Sequence, residues 1–266
     1  MAHCILYYMV DGSTAKAQRI LQEWGVDEQI ELIGCAHEPL IDPTPAQMVG
    51  CEGFIGEFGP VSAKTADAMA RAGIRIVSSM SIGVNHVDVA ALAQHGIITT
   101  NCPGYCSLDV AQHATGLILD LMRKVTFSNR KVLDGAWEPT GGYTAHRTQG
   151  QTIGLVFFGN IARSMASIAQ ALGMNVVVWA PTKTHEELAQ AGCTKMESLD
   201  ELLAASDVVS LHCPLIPQTE NLIGAHELEA HLQHLLIQPG ALAPPATHRR
   251  LIGVARGPWP RRVARG

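Results

Sequence analysis

Aromatic residues and charge are both scarce in this sequence: Phe, Trp and Tyr make up 5% and Asp, Glu, Lys and Arg 16% of 266 residues. With 47% of the chain hydrophobic, disorder is excluded as the general state. The shortage of rings argues against an aromatic-rich β architecture, because Ala, Val, Ile and Leu carry the apolar content, as they do in helices packed on sheets. No apolar run has bilayer-spanning length, and the opening MAHCILYYMVDGS lacks a basic stretch and a cleavage site. A soluble, cytoplasmic chain with no membrane partner is therefore expected. The seven cysteines contain no CxxC pair, which argues against a disulfide framework and a zinc knuckle and for reduced thiols; no metal site is expected. The last absence is local. Residues 230–266 hold six Arg and no acid, a net of +6, whereas residues 1–229 hold 13 Lys and Arg against 24 Asp and Glu, a net of −11.

What is present is an alternation. Apolar runs at Cys4–Val10, Ile30–Gly34, Gly53–Gly56, Ile74–Ser78 and Ile97–Thr99 are too short for helices and sit between turn residues. Between them Ser13–Trp24, Ala63–Ala72 and Val87–His95 have helical spacing, and the last two stop at Gly73 and Gly96. Repeated strand and helix units predict a parallel sheet covered on both faces. The spacing of Val110, Ala114, Leu117, Leu121 and Val125 predicts one long helix from Leu108 to about Val132, followed by a linker near Pro139–Gly142. A second doubly wound pattern follows, with strands at Ile153–Phe157, Asn175–Trp179 and Asp207–Leu211 and helices at Ile161–Leu172 and His185–Ala191. From His231 the pattern degrades into five Pro and six Arg with no sustained period, and the second sheet is expected to stop there, incomplete at its C-terminal side.

The strongest local signal is Gly154-Leu-Val-Phe-Phe-Gly159-Asn-Ile-Ala162, which ends a strand and opens a helix. Read as GxGxxG, its three positions are Phe157, Gly159 and Ala162. Gly159 lets backbone approach a diphosphate and Ala162 is small enough for helix-on-strand packing, whereas Phe157 brings a side chain to the tight turn at a cost of about 1–3 kcal/mol. Taken alone, the motif also fits an ordinary βα turn. About twenty residues on, where an acid would accept from the adenosine ribose hydroxyls, stands Ala180. A missing charged acceptor forfeits roughly 1.5–3 kcal/mol of preference for NAD. Thr182 and Lys183 lie where a 2′-phosphate would be met, though a solvated loop lysine explains Lys183 as well.

Five segments in order, SIGVNHVD at 81–88, NCPGYC at 101–106, VAQHA at 110–114, the turn at 154–162 and SDVVSLHCPLIPQTENLIG at 206–224, resemble the D-isomer-specific 2-hydroxyacid dehydrogenases. The nearest branches are the phosphoglycerate dehydrogenase-like and glycerate or hydroxypyruvate reductase-like ones, and the resemblance covers residues 1–230. It implies a substrate-binding domain at 1–101, an NAD(P)-binding Rossmann domain at 102–230 and a divergent tail at 231–266, with NAD or NADP as coenzyme and a small 2-hydroxy or 2-keto acid as substrate. Ile82 and Gly83 match the loop whose amides meet the substrate carboxylate. Asn160 and Ile161 match the amide donors to the diphosphate, Ala180 the ribose position, and Cys213 a residue lining the nicotinamide side. Relatives commonly dimerise through the region matching Leu108–Trp137, so a homodimer is a possible assembly.

The same resemblance implies an Arg clamp, a His acid/base and a carboxylate partner for it, all after residue 224. Leu251-Ile-Gly-Val-Ala-Arg256-Gly echoes the strand that ends in the clamp, and Arg256 is the candidate, set against a bland exposed arginine. No acid follows Glu229 and no histidine follows His248, so impaired or absent turnover is expected. The alternatives are a catalytically inactive dinucleotide-binding or regulatory module, and a truncated or frame-shifted product. Nucleic-acid binding by the Arg-rich tail around Trp259 has a weak footprint on an acidic body. The other candidates have plainer explanations. Gly50, Gly53, Gly56 and Gly59 lack the GK[ST] of a phosphate loop, His113 suits packing, and His212 and Cys213 are strand neighbours facing opposite ways rather than a nucleophile pair.

Overall fold

In a computed structural model, residues 2–37, 41–57, 59–137, 144–236 and 251–253 are described. The linker near Pro139–Gly142, Arg256 and Trp259 lie outside them. The chain divides into two units, one drawn from Met1–Tyr105 and the other from Cys106–Arg256.

The first unit runs β1 (His3–Met9), α1 (Ala15–Glu23), β2 (Ile30–Ala36), a 3-10 turn at Pro45–Met48, β3 (Gly53–Gly56), α2 (Ala63–Ala72), β4 (Ile76–Ser79), α3 (Val89–Gln94) and β5 (Ile98–Thr100). Its five strands are parallel in the order β2-β1-β3-β4-β5, one of the two common doubly wound orders. Local chemistry sets the helix ends. The Ser62 hydroxyl accepts from the Thr65 N–H at the start of α2, and the Asp88 carboxylate accepts from the Ala91 N–H at the start of α3. Both helices stop where Gly73 (φ +90°) and Gly96 (φ +70°) turn left-handed, as expected from the sequence. Leu6, Tyr8, Phe54, Met69, Val77 and Leu92 form the core of this unit.

The second unit runs α4 (Ser107–Arg123), α5 (Val125–Leu133), β6 (Thr152–Val156), α6 (Asn160–Ala171), β7 (Asn175–Trp179), α7 (His185–Gln190), β8 (Thr194–Lys195), α8 (Leu199–Ala205), β9 (Val208–Leu211), α9 (Ala225–Leu236) and β10 (Leu251–Gly253). Its strand order, β10-β9-β6-β7-β8, is again all parallel. Read from β8, the strands come third, second, first, fourth and fifth, the dinucleotide-binding order, whose direction of winding reverses between β6 and β9. Small residues let α4 and α6 pack closely on one face: Ala111, Ala114, Ala162, Ala166 and Ala169 are all buried there with Ile118 and Met165. On the other face Val156, Val177 and Val209 meet Leu202 and Leu203 of α8.

Two expectations are corrected. The long helix from Leu108 is two helices, because Lys124 adopts a left-handed φ of +60° and the Asp120 carboxylate accepts from the Thr126 N–H at 2.6 Å, which starts a new helix there. The second sheet does not stop at β9 either. Helix α9 runs past residue 230 to Leu236, and Leu251–Gly253 adds a parallel edge strand in register with Val209–Leu211. A three-residue edge strand held by backbone hydrogen bonds needs no apolar period, so in this Pro- and Arg-rich setting only the strand echo at residues 251–257 points to it.

Candidate functional site

The turn from β6 into α6 is built as the sequence suggested, with one strained residue. Gly159 precedes the helix in extended backbone (φ −86°, ψ −166°), and the first intrahelical bond runs from the Arg163 N–H to the Gly159 carbonyl at 3.0 Å. The N–H groups of Asn160, Ile161 and Ala162 therefore have no helical acceptor and carry the positive end of the helix dipole. Gly159 and Asn160 are exposed, and a Cβ built on Gly159 has no atom within 4 Å. Space beside free amides at the N-terminus of a twelve-residue helix suits a diphosphate. Ala162 is fully buried in the packing place expected of it.

Phe157 has φ +70°, a left-handed conformation that costs a side-chain-bearing residue roughly 1–2 kcal/mol. Two contacts hold it there: its N–H donates to the Trp179 carbonyl at 2.8 Å, and its ring stands edge-on to the Trp179 ring with centroids 5.7 Å apart. One turn on, the Arg163 guanidinium lies 4.9 Å from the centroid of Phe158.

Beyond β7 the place the resemblance implies for the ribose is apolar. Ala180 is 1% exposed and has no acceptor in its side chain. Lys183 is engaged: its ammonium donates to the Glu187 carboxylate at 3.0 Å. That carboxylate also accepts from the Thr184 N–H at 2.9 Å as part of a capping box, and the two bonds, the backbone one foremost, hold its pKa below the ordinary value. A 2′-phosphate would meet Lys183 with an anion already beside it.

On the far side of the switch point the chain leaves β9 through His212 and Cys213. The His212 N–H donates to the Val156 carbonyl at 3.0 Å, which ties this segment to the end of β6. Both ring nitrogens of His212 are buried without a hydrogen-bonding partner among the described residues, and burial lowers the imidazole pKa to about 4, so the ring is neutral near pH 7. The Ser210 hydroxyl, two residues earlier on the same strand face, is likewise buried and has no partner among the described residues. Burial raises the Cys213 thiol above its ordinary pKa, which removes the thiolate a nucleophile needs. The buried, unsatisfied imidazole was missed in the sequence. Its signal was a histidine closing the apolar strand DVVSLH, where a parallel sheet presents its ligand-facing ends.

In the first unit the loop after β4 is held by its carbonyls. The Ser81 hydroxyl donates to the Gly83 carbonyl at 2.6 Å, the Asn101 amide to the Ile82 carbonyl at 2.7 Å, and the Cys102 N–H to the Ser81 carbonyl at 3.0 Å. Ser79 and Ser81 share a hydrogen bond of 2.7 Å, and His86, whose pKa burial lowers, lies 3.3 Å from the Ser79 hydroxyl. Among the described residues the N–H groups of Ile82 and Gly83 meet no protein acceptor. Anchored carbonyls with free amides are the arrangement a small anion requires. Among the described residues no group of three or more His, Cys, Asp or Glu is arranged to hold a metal, and no helix is long and apolar enough to cross a membrane.

Strand order, switch point and turn together define a dinucleotide-binding protein of the doubly wound class. Residues 115–258 match the profile of the D-isomer specific 2-hydroxyacid dehydrogenase, NAD binding domain, and the chain belongs to that family. The match reaches residue 258, so it takes in most of the stretch that composition alone sets apart. The chain is 33% identical over 184 residues to a hydroxypyruvate reductase of Blautia hydrogenotrophica, covering 67% of this chain and 56% of that protein. It is 35% identical over 184 residues to an (S)-sulfolactate dehydrogenase of Chromohalobacter salexigens, covering 69% and 55%. It thus spans little more than half the length of these relatives. The crystal structure of a protein from Thermus thermophilus superposes with a TM-score of 0.70 at 31% identity, covering 85% of this chain and 70% of the other.

Proposed function

We propose that these 266 residues bind NAD(H) or NADP(H) on the second unit and a small 2-keto or 2-hydroxy acid on the first, for hydride transfer between the two, with proton delivery impaired in this chain. The observation that carries the reading is the free N-terminal turn of α6 beside open space at Gly159. When bound, the nicotinamide coenzyme supplies or accepts the hydride. The chain's own residues do the rest. The Asn160 and Ile161 amides hold the diphosphate, Cys213 lines the nicotinamide side as a neutral thiol, and the Ile82 and Gly83 amides hold the substrate carboxylate. Ala180 leaves the ribose hydroxyls without an anionic acceptor, so NAD and NADP are bound with little discrimination. Arg256 stands three residues beyond β10, the fifth strand of the sheet, which supports it as the carboxylate clamp. After it come neither a carboxylate nor an imidazole, the groups that would deliver the proton to the keto oxygen.

Calorimetric titration with both coenzymes, followed by turnover assays on glyoxylate, hydroxypyruvate and 3-phosphohydroxypyruvate, tests the reading. Binding with slow turnover, measurably above the coenzyme blank, is expected. No binding at millimolar coenzyme overturns the coenzyme site, and brisk turnover overturns the impairment. Binding without any turnover favours the regulatory module. Val125, Phe127, Val132, Leu133 and Trp137, all exposed in this chain, support a homodimer through the region Leu108–Trp137, which light scattering of the purified protein tests.

A further inference from the structure

We infer that Cys4 and Cys51 are an oxidation site in which the two thiols close to a reversible disulfide. Their sulfurs are 3.3 Å apart, the one thiol pair in contact among the described residues. The backbones that carry them are already fixed to each other: Cys4 lies on β1, Cys51 just before β3, the two strands pair from Ile5 and Gly53 onward, and the Glu52 N–H donates to the Cys4 carbonyl at 2.8 Å. Closing the bond therefore needs a shift of roughly 1.2 Å between the sulfurs, toward the usual 2.03–2.05 Å.

The two cysteines are unequal, and that sets the order of events. Cys51 is 1% exposed, and burial together with the hydrogen bond to Cys4 pushes its thiol up to about 12. Cys4 is half-buried and is the sulfur that an oxidant reaches. With a peroxide as oxidant, the Cys4 thiolate attacks one peroxide oxygen; an S–O bond forms, the O–O bond breaks and hydroxide leaves, giving a sulfenic acid. The Cys51 thiol, whose high pKa makes this the slower step, gives its proton to the departing hydroxide as its sulfur attacks the Cys4 sulfur; the S–S bond forms, the S–OH bond breaks and water leaves. The protein loses two electrons and two hydrogens, and the peroxide is reduced to water. The cross-link closes a loop that holds β1, α1, β2 and the 3-10 turn, so it restricts the unfolded chain and raises the unfolding midpoint.

The test treats the full chain with hydrogen peroxide, blocks remaining thiols and maps the peptides, with Cys102, an exposed thiol, as internal reference. A Cys4–Cys51 cross-linked peptide lighter by about 2 Da than the two free peptides is expected. It should form before Cys102 is exhausted, revert with dithiothreitol and be accompanied by a higher midpoint. In Cys51→Ser the cross-link disappears and Cys4 accumulates as a dimedone-reactive sulfenic acid. Circular dichroism of Cys51→Ser and of Cys4→Ser checks that each remains folded. The inference is overturned if Cys4 in the unaltered chain stays unreacted while Cys102 is consumed, or if Cys4 stops at sulfenic or sulfinic acid without joining Cys51.

Discussion

The turns after β1 and after β6 occupy the same place in two five-stranded parallel sheets, yet only the second leaves room for a ligand. After β1, Gly12 lies at φ +64° with its missing Cβ 2.6 Å from the Ala36 nitrogen, and a Cβ on Gly34 would lie 2.4 Å from the Gly12 carbonyl oxygen. The end of β2 has closed over the turn. After β6 the corresponding space beside Gly159 is open. The helices differ in the same sense: α1 contributes no fully buried residue, while α6 seats Ala162, Met165, Ala166 and Ala169 in the core and leaves its first turn facing outward. Doubly wound order by itself therefore makes no nucleotide site; the vacant first turn beside the switch point is what supports the proposed one.

Swapping bulk into the two turns gives the largest expected effects. Gly12→Val combines left-handed strain of about 1–3 kcal/mol with overpacking of a similar size, so a loss of roughly 2–6 kcal/mol in denaturant unfolding is expected, with the coenzyme affinity of the folded fraction unchanged. Gly159→Val is expected to change stability by about 0.5 kcal/mol or less and to weaken coenzyme binding by about a hundredfold or more, because its branches fill the space proposed for the diphosphate. If Gly159→Val proved the more destabilising of the two, the contrast between a closed and an open turn would fail.

The buried imidazole at the switch point gives the second unit a pH dependence of its own. The His212 pKa falls from an ordinary 6.5 to about 4 in the folded state. Between those values the unfolded chain binds the extra proton and the folded one does not, so stability rises with pH across this window and is lost as pH drops from 6.5 toward 4. The 2.5-unit difference corresponds to about 3 kcal/mol. Comparing unfolding of the unaltered chain and His212→Gln at pH 7 and pH 4.5 isolates this contribution from that of the carboxylates. The variant is expected to lose less stability on acidification; an identical loss in both would remove His212 from the account.

Much of this contrast could be read before any coordinates. The α2 boundaries, the left-handed stops at Gly73 and Gly96, and the strand-turn-helix at 152–171 follow from residue types acting over a few positions. What could not be read depends on partners far along the chain. Strand β10 exists because β9 offers it an edge: the motif echo at residues 251–257 marks the segment, but three residues inside an Arg- and Pro-rich stretch carry no period that shows they join the sheet. The helix break at Lys124 depends on an Asp120 side-chain bond within a run whose apolar spacing continues across it. At the site, Gly159 and Ala162 were legible as a motif, whereas the orphaned nitrogens of His212 follow only from the packing around β9.

The ribose position sharpens the comparison with dehydrogenases that carry an acid there. Ala180→Asp restores an acceptor for the ribose hydroxyls and is expected to tighten NADH binding by about 1.5–3 kcal/mol, roughly tenfold to 150-fold, and to leave NADPH unimproved. Because Ala180 is buried, the aspartate must reach the edge of the turn to be solvated. Equal gains for both coenzymes in calorimetry would place the adenosine ribose elsewhere.

The smallest effect lies in the turn itself, where the two units share one backbone conformation on different residues. Gly12 holds φ +64° without strain, and Phe157 holds φ +70° with it. Phe157→Gly releases roughly 1–2 kcal/mol of left-handed strain and gives up the edge-on contact with Trp179, worth about 0.5–1.5 kcal/mol, plus the burial of part of a ring. The terms nearly cancel, so stability should change by about 1 kcal/mol or less. Coenzyme affinity should rise severalfold, since the glycine turn lets the backbone approach the diphosphate more closely. Calorimetry and denaturant unfolding on the same preparation separate the two terms. A loss of about 3 kcal/mol or more would mean that the aromatic pair, rather than the backbone, dictates the shape of this turn.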